Sequence, residues 1–199
     1  ANGLGLWELD SGRQTQLRLT GTDSSPTVLR FSPDGKLLAA GVGTSDSEVH
    51  VWAVEDLWRS AKATPLPRGR LGRHRDWICD VAFSPDSSAL VSASADSALQ
   101  VWELEHPDAC RRYRGHRHQV LSVAWSPDGQ RIVSSGKDGS VRVWDPWREP
   151  APSGPRVLPV SSYLWCFGIS PDGERGLTLD PTNGTAMLWD TVKLRPTET

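Results

Sequence analysis

Cysteine is scarce in this chain: Cys79, Cys110 and Cys166 are an odd number, irregularly placed and without a Cys-x-x-Cys pair. Neither a disulfide framework nor a zinc site is indicated, and no metal or other cofactor is expected. No apolar run approaches the roughly 18 residues of a membrane span, and Ala1-Asn2-Gly3-Leu4 carries no basic-then-apolar signal pattern. Charge of one sign is lacking as well. A net charge of −2 and a pI near 6.2 give no global reason to expect a membrane or nucleic acid as partner. Convincing amphipathic helices are also missing. With 37% hydrophobic residues, the 199-residue chain can still build a sizeable core and falls outside the disordered class. A reducing, cytoplasmic setting is the plain expectation.

What the chain has in abundance is tryptophan, in a recurring phrase: GLWELD at Trp7, VHVWAV at Trp52, LQVWEL at Trp102, VRVWDP at Trp144 and AMLWDT at Trp189. The steps are 45, 50, 42 and 45 residues, the period of a four-stranded propeller blade. A second phrase fixes the register: FSPDGK from Phe31, FSPDSS from Phe83, WSPDGQ from Trp125 and ISPDGE from Ile169. Ser-Pro-Asp-Gly is turn chemistry, because Pro presets φ, Asp bonds its own backbone and Gly accepts a left-handed conformation. Each copy therefore reads as a hairpin tip. The flanking apolar residues alternate, as in Ala89–Ala93 and Ser140–Trp144, which is the period-two pattern of strands.

The two middle repeats share a constellation. His74, Ser92, Asp96 and Trp102 shift by 42 onto His116, Ser134, Asp138 and Trp144. With Gly115-His116 opening a repeat and Trp144-Asp145 closing it, the chain resembles the WD-repeat β-propeller family over nearly its whole length. The resemblance implies an all-β fold of four-stranded antiparallel blades, with each His, Ser, Asp and Trp set forming a buried hydrogen-bonded chain. Ser, His and Asp together also invite a hydrolase reading. Two identical sets tied to an indole N–H fit a structural network better, in which one lost partner leaves a buried polar group costing roughly 1–3 kcal/mol. The outer repeats depart from the pattern. Thr22 and Ala40 replace His and Ser before Asp46 and Trp52, and Val160, Thr178 and Asn183 precede Trp189. Blades two and three are therefore expected to be the rigid centre.

The expected organisation is a partial blade of two outer strands at 1–20, a blade at 21–73 with a long loop at 53–70, blades with full tetrads at 74–115 and 116–159, and a terminal blade at 160–199. Four blades plus a half blade fall short of the usual ring of about seven. The chain starts inside a hairpin without a methionine, so a piece of a larger propeller is expected, its missing blades coming from another chain or another copy. A four-blade ring closing on itself is the alternative.

Function is expected on the faces of the disc, since the strands are occupied with the core. The resemblance implies partner contacts on the narrow face where each innermost strand begins: Ser25 and Thr27, Trp77 and Cys79, Gln119 and Leu121, Tyr163 and Trp165. Ser45, Ala95 and Lys137 join them before the loop aspartates. Such a mouth suits a protein or peptide partner. The plainer role for Trp77 and Trp165 is to plug a central channel. Arg68, Arg70, Arg73 and Arg75 surround His74, and Arg111, Arg112, Arg114 and Arg117 surround His116 and His118. They read as a basic, solvated rim that blocks edge pairing; without RNA-binding aromatics, nucleic acid is not the expected partner. Trp58 and Trp147, in loops between blades, are connectors that could also cap the rim or meet a partner. A non-enzymatic interaction scaffold is the leading expectation. A regulatory segment of a multidomain signalling protein with a kinase, NTPase or protease effector is the second, and the propeller lid of a hydrolase the third.

Overall fold

The Ser-Pro-Asp turns show how local chemistry sets the blades. In the first, the Ser32 hydroxyl donates to Asp34 Oδ1 at 2.6 Å, the Lys36 amide donates to the same oxygen at 3.1 Å, and the Leu37 amide donates back to Ser32 Oγ at 2.9 Å. Gly35 supplies the left-handed residue at φ 71°. The second turn repeats these bonds but places Ser87 at φ 62°, where the other turns use glycine. Each turn folds two strands into a hairpin whose side chains alternate between blade faces.

The computed structural model of the chain describes residues 3–18, 26–42, 47–59, 69–148, 154–159, 166–170, 172–180, 184–190 and 195–196. A two-stranded sheet comes first, β1 (Gly3–Trp7) with β2 (Gln14–Arg18). Four antiparallel four-stranded sheets follow in meander order. Blade one holds β3 (Pro26–Phe31), β4 (Leu37–Val42), β5 (Glu48–Ala53) and β6 (Gly69–Arg73). Blade two holds β7 (Ile78–Phe83), β8 (Ala89–Ser94), β9 (Ala98–Glu103) and β10 (His106–Arg114). Blade three holds β11 (Val120–Trp125), β12 (Ile132–Gly136), β13 (Ser140–Trp144) and β14 (Arg156–Pro159). Blade four holds β15 (Cys166–Ile169), β16 (Arg175–Asp180), β17 (Thr185–Asp190) and β18 (Arg195–Pro196).

The fold is nearly all β, as expected, with one short helix that the sequence does not announce: α1 (Val54–Arg59) occupies the start of the 53–70 loop. Glu55 and Asp56 in its first turn and Arg59 in its last complement the helix dipole, Arg59 pairs with Glu55 one turn back, and Leu57 is buried. Six residues are too few to show a helical period in sequence.

The core lies between blades. Ala39, Val49, Val51 and Leu71 of blade one meet Ile78, Val81, Phe83 and Trp102 of blade two. Val91, Ala93, Leu99 and Tyr113 of blade two meet Val120, Trp125, Ile132 and Trp144 of blade three. Val133, Val141 and Leu158 carry Trp189 of blade four, and Leu6 of β1 packs on the Trp52 face of blade one. The blades form an arc, and the ring is open. Since Leu90 pairs with Trp102 and Gly176 with Trp189, Leu177 and Leu179 stand at the positions of Val91 and Ala93. The latter two are fully buried under blade three; Leu177 and Leu179 are 43% and 44% exposed.

Candidate functional site

Each middle blade holds its histidine in the connection entering its innermost strand. The His74 amide donates to Ser47 O of blade one at 2.9 Å, which ties that connection to the preceding sheet. In blade three a continuous chain forms. Trp144 Nε1 donates to Ser134 Oγ at 2.8 Å, Ser134 Oγ lies 2.8 Å from His116 Nε2, and His116 Nδ1 lies 3.0 Å from Asp138 Oδ1. The carboxylate requires the imidazole proton on Nδ1, so Nε2 accepts from the serine hydroxyl. Burial pushes the Asp138 carboxyl up, but the Arg117 amide, the Ser140 hydroxyl and His116 outweigh it and hold it at about 2. Burial also lowers the His116 pKa, against the pull of Asp138.

Blade two repeats three of the four members. His74 Nε2 lies 2.6 Å from Ser92 Oγ and Nδ1 lies 3.1 Å from Asp96 Oδ2. Its tetrad is incomplete, which corrects the expectation of a full set: Trp102 Nε1 is buried and has no hydrogen-bond partner among the described residues. His74 still meets the Trp102 ring edge-on at 6.3 Å. Blade four keeps the tryptophan half, with Trp189 Nε1 donating to Thr178 Oγ1 at 2.9 Å. Blade one has Ala40 at the serine position, paired in register with the fully buried His50, whose Nε2 lies 3.1 Å from Glu48 Oε2. Thr22, Asp46, Val160 and Asn183 lie outside the described residues.

These networks can hold geometry but cannot present a nucleophile, because Ser92 and Ser134 are both fully buried. Beside them lie the starts of the inner strands. The Ala95 amide donates to Trp77 O at 2.9 Å, and the Ser94 hydroxyl donates to the same carbonyl. One blade on, the Lys137 amide donates to Gln119 O at 2.8 Å. Trp77 and Gln119 thus sit at matching places at the start of adjacent inner strands, with Cys79 and Leu121 half-buried behind them. Burial, and then the charges of Asp76 and Asp80, push the Cys79 thiol up to about 11, so it stays protonated. Trp77 is 52% exposed. Ser25, Tyr163 and Trp165 lie outside the described residues.

The arginines do not form one uniform rim. Arg75, Arg114 and Arg117 are exposed, but Arg112 turns inward onto Asp96 Oδ2 at 2.6 Å and drops out of the outward-facing set. Burial pushes the Asp96 carboxyl up, but His74 and the Arg75 amide, with Arg112 added, outweigh it and hold the group far below its usual range. The side chain of Arg73 lies outside the described set.

One connector escaped the sequence reading. Asp80, buried on β7, accepts from Arg30 of blade one at 3.0 Å and from the Ser122 hydroxyl and Val123 amide of blade three at 2.9 and 3.2 Å. It joins three blades. Its signal was a lone acid in the apolar run Ile78–Phe83, at the position where blade three has Ser122.

Comparison with known proteins agrees with this geometry. The family model "WD domain, G-beta repeat" matches residues 13–53, 66–103 and 108–145, more than half of the chain. Human WD repeat and SOCS box-containing protein 1 is 32% identical over 102 residues, covering 50% of this chain and 22% of that protein. Protein HIR1 of Yarrowia lipolytica is 40% identical over 86 residues, 38% of this chain and 8% of the relative. The Protein LST8 homolog of Drosophila melanogaster is 28% identical over 101 residues, 50% and 31% respectively. The chain thus spans less than a third of these relatives' lengths. A chain in the crystal structure of the Mitotic Checkpoint Complex superposes with a TM-score of 0.82 over 98% of this chain and 59% of its own length, at 20% identity, a likeness of fold. Three copies of the matched repeat, laid over blades whose inner strands run side by side, show that this chain belongs to the WD-repeat β-propeller family.

Proposed function

We propose that this chain is a non-enzymatic interaction scaffold that binds a peptide or partner domain at the mouth bearing Trp77, Gln119, Leu121 and Lys137. WD-repeat proteins are typically protein-interaction scaffolds. The observation that carries the reading is Trp77, a large aromatic left half-exposed while its carbonyl is fixed by two hydrogen bonds. Tryptophan on a rigid support is the side chain that most often dominates binding energy. The burial of both Ser-His-Asp sets supports the non-enzymatic part, because a nucleophile without solvent access meets no substrate. Ser25, Tyr163 and Trp165 extend the proposed mouth by the repeat arithmetic alone.

The open arc supports a second element of the proposal: further blades cover the Leu177 and Leu179 face. Selection of peptides from a random displayed library against the native chain tests the binding reading. Selected peptides that lose affinity for Trp77→Ala and Lys137→Glu support it. Peptides that bind both variants as tightly as the native chain refute it.

A further inference from the structure

The inner strands end in different chemistry from that with which they start. β7 and β11 each run six residues, about 20 Å, from the mouth to a Ser-Pro-Asp turn on the opposite face. Between the turns of blades two and three lies a groove of about 510 Å³. Its walls include Pro85, Pro127, Gln130 and the indole of Trp147, and its polar edge is Asp86 and Asp128. The volume falls within the roughly 300–1,000 Å³ of ordinary ligand clefts.

Trp147 is 40% exposed, yet it is fixed. Its Nε1 donates to Gly129 O at 2.8 Å, and its ring packs 5.7 Å from that of Trp125. The aromatic wall is ordered before anything binds, which removes one entropic cost of association. Both aspartates spend a single oxygen on the turn. Asp86 Oδ1 accepts from the Ser84 hydroxyl at 2.5 Å and the Ser88 amide at 3.0 Å, and Asp128 Oδ1 accepts from the Ser126 hydroxyl at 2.5 Å and the Gln130 amide at 2.9 Å. Their Oδ2 atoms accept no hydrogen bond among the described residues. The same bonds hold both carboxyls below the usual carboxylate range, so both are ionised at neutral pH. Among the described residues no basic side chain lines the groove. Arg111, 5.8 Å from the Trp147 ring and paired with Glu103, shows that a guanidinium already sits against this indole.

We propose that this groove is a second docking site, which accepts an arginine side chain from an extended segment of a protein partner. A planar guanidinium can stack on proline and indole surfaces while its N–H groups reach the spare carboxylate oxygens, whereas an ammonium cannot do both. The site lies at the far end of the inner strands from Trp77, so it stands or falls separately from the mouth.

The test titrates the full ¹⁵N-labelled chain with an acetylated, amidated Gly-Ala-Arg-Ala-Gly peptide, and with the same peptide carrying neutral citrulline for arginine. The expected result is saturable shifts of the Trp147 indole N–H and Gln130 amide signals with a Kd on the order of 1 mM. Citrulline should weaken binding at least about fivefold, because it keeps the shape and removes the charge. The Asp86→Asn/Asp128→Asn variant keeps both Oδ1 acceptors in the turns and should show the same loss, while Trp77→Ala should bind as the native chain does. Absence of saturable shifts, equal binding of the citrulline peptide, or loss of binding in Trp77→Ala would overturn the proposal.

Discussion

Trp102 and Trp144 occupy the same place in neighbouring blades, both buried in the core between blades, but among the described residues only Trp144 has a partner for its indole N–H. Phenylalanine at either position removes the same ring volume, so cavity costs should nearly cancel in the comparison. Trp144→Phe also breaks the 2.8 Å bond to Ser134, a net loss of about 0.5–1.5 kcal/mol. Trp102→Phe removes a buried donor that has no acceptor, relieving a desolvation cost of about 1–3 kcal/mol. Trp144→Phe should therefore be the more destabilising by about 1.5–4.5 kcal/mol. At roughly 2–4 °C per kcal/mol for a chain of this size, the melting temperatures of the two variants should differ by at least about 3 °C. Parallel thermal and urea unfolding followed by circular dichroism measures the difference. Equal costs, or a greater cost at Trp102, would refute the assignment of the two N–H groups.

Ser97 sits at φ 67° where blade three has Gly139 at φ 70°, so Ser97→Gly should raise stability by about 0.5–1 kcal/mol, read as a higher urea midpoint. Asp80→Ala strands the Ser122 hydroxyl and Val123 amide and should cost about 2–4 kcal/mol. Arg30→Ala, at a half-exposed partner, should cost less than about 1 kcal/mol, and equal costs by calorimetry would contradict the reading of Asp80 as the joint between three blades. Acid should act in two windows. His116 has a folded pKa below its ordinary 6.5, so the unfolded chain binds protons first and stability falls as pH drops below 6.5. Asp138 has a folded pKa of about 2 against 3.8, so its contribution is complete above 3.8 and is lost as pH falls towards 2. A pH series of urea midpoints should lose its upper slope in His116→Gln, and an unchanged slope would contradict the burial of a neutral imidazole.

The blade framework was legible because its chemistry is local and repeated. Asp34, Asp86 and Asp128 close their own turns within a few residues, and a shift of 42 residues maps one histidine set onto the next. Contacts between blades left no such mark. Asp80 bonds to residues 50 and 42 positions away; the second step equals the repeat period, yet equivalent places in two repeats do not by themselves announce a bond between their side chains. The inward turn of Arg112 depends on the side-chain path across β9 and β10, where it pairs in register with Gln100, and composition alone reads it as one more exposed arginine. Trp102 shows the limit of repeat logic. Its sequence context matches that of Trp144, yet the Ser92 hydroxyl at 2.6 Å from His74 receives no indole N–H. At the mouth, position was legible and exposure was not, because half-exposure of Trp77 depends on what lies beside it in space.

Binding and folding must separate at Trp77 if the narrow face is where partners dock. Affinity of library-selected peptides for native and Trp77→Ala chains, measured by calorimetry beside the melting temperature of each, tests this most directly. Loss of a hot-spot tryptophan should weaken binding about 30-fold, equivalent to roughly 2 kcal/mol, while melting stays within about 1 °C. Unchanged affinity, or a loss that tracks unfolding of the variant, would mean that Trp77 serves the packing of the disc and that partners dock elsewhere.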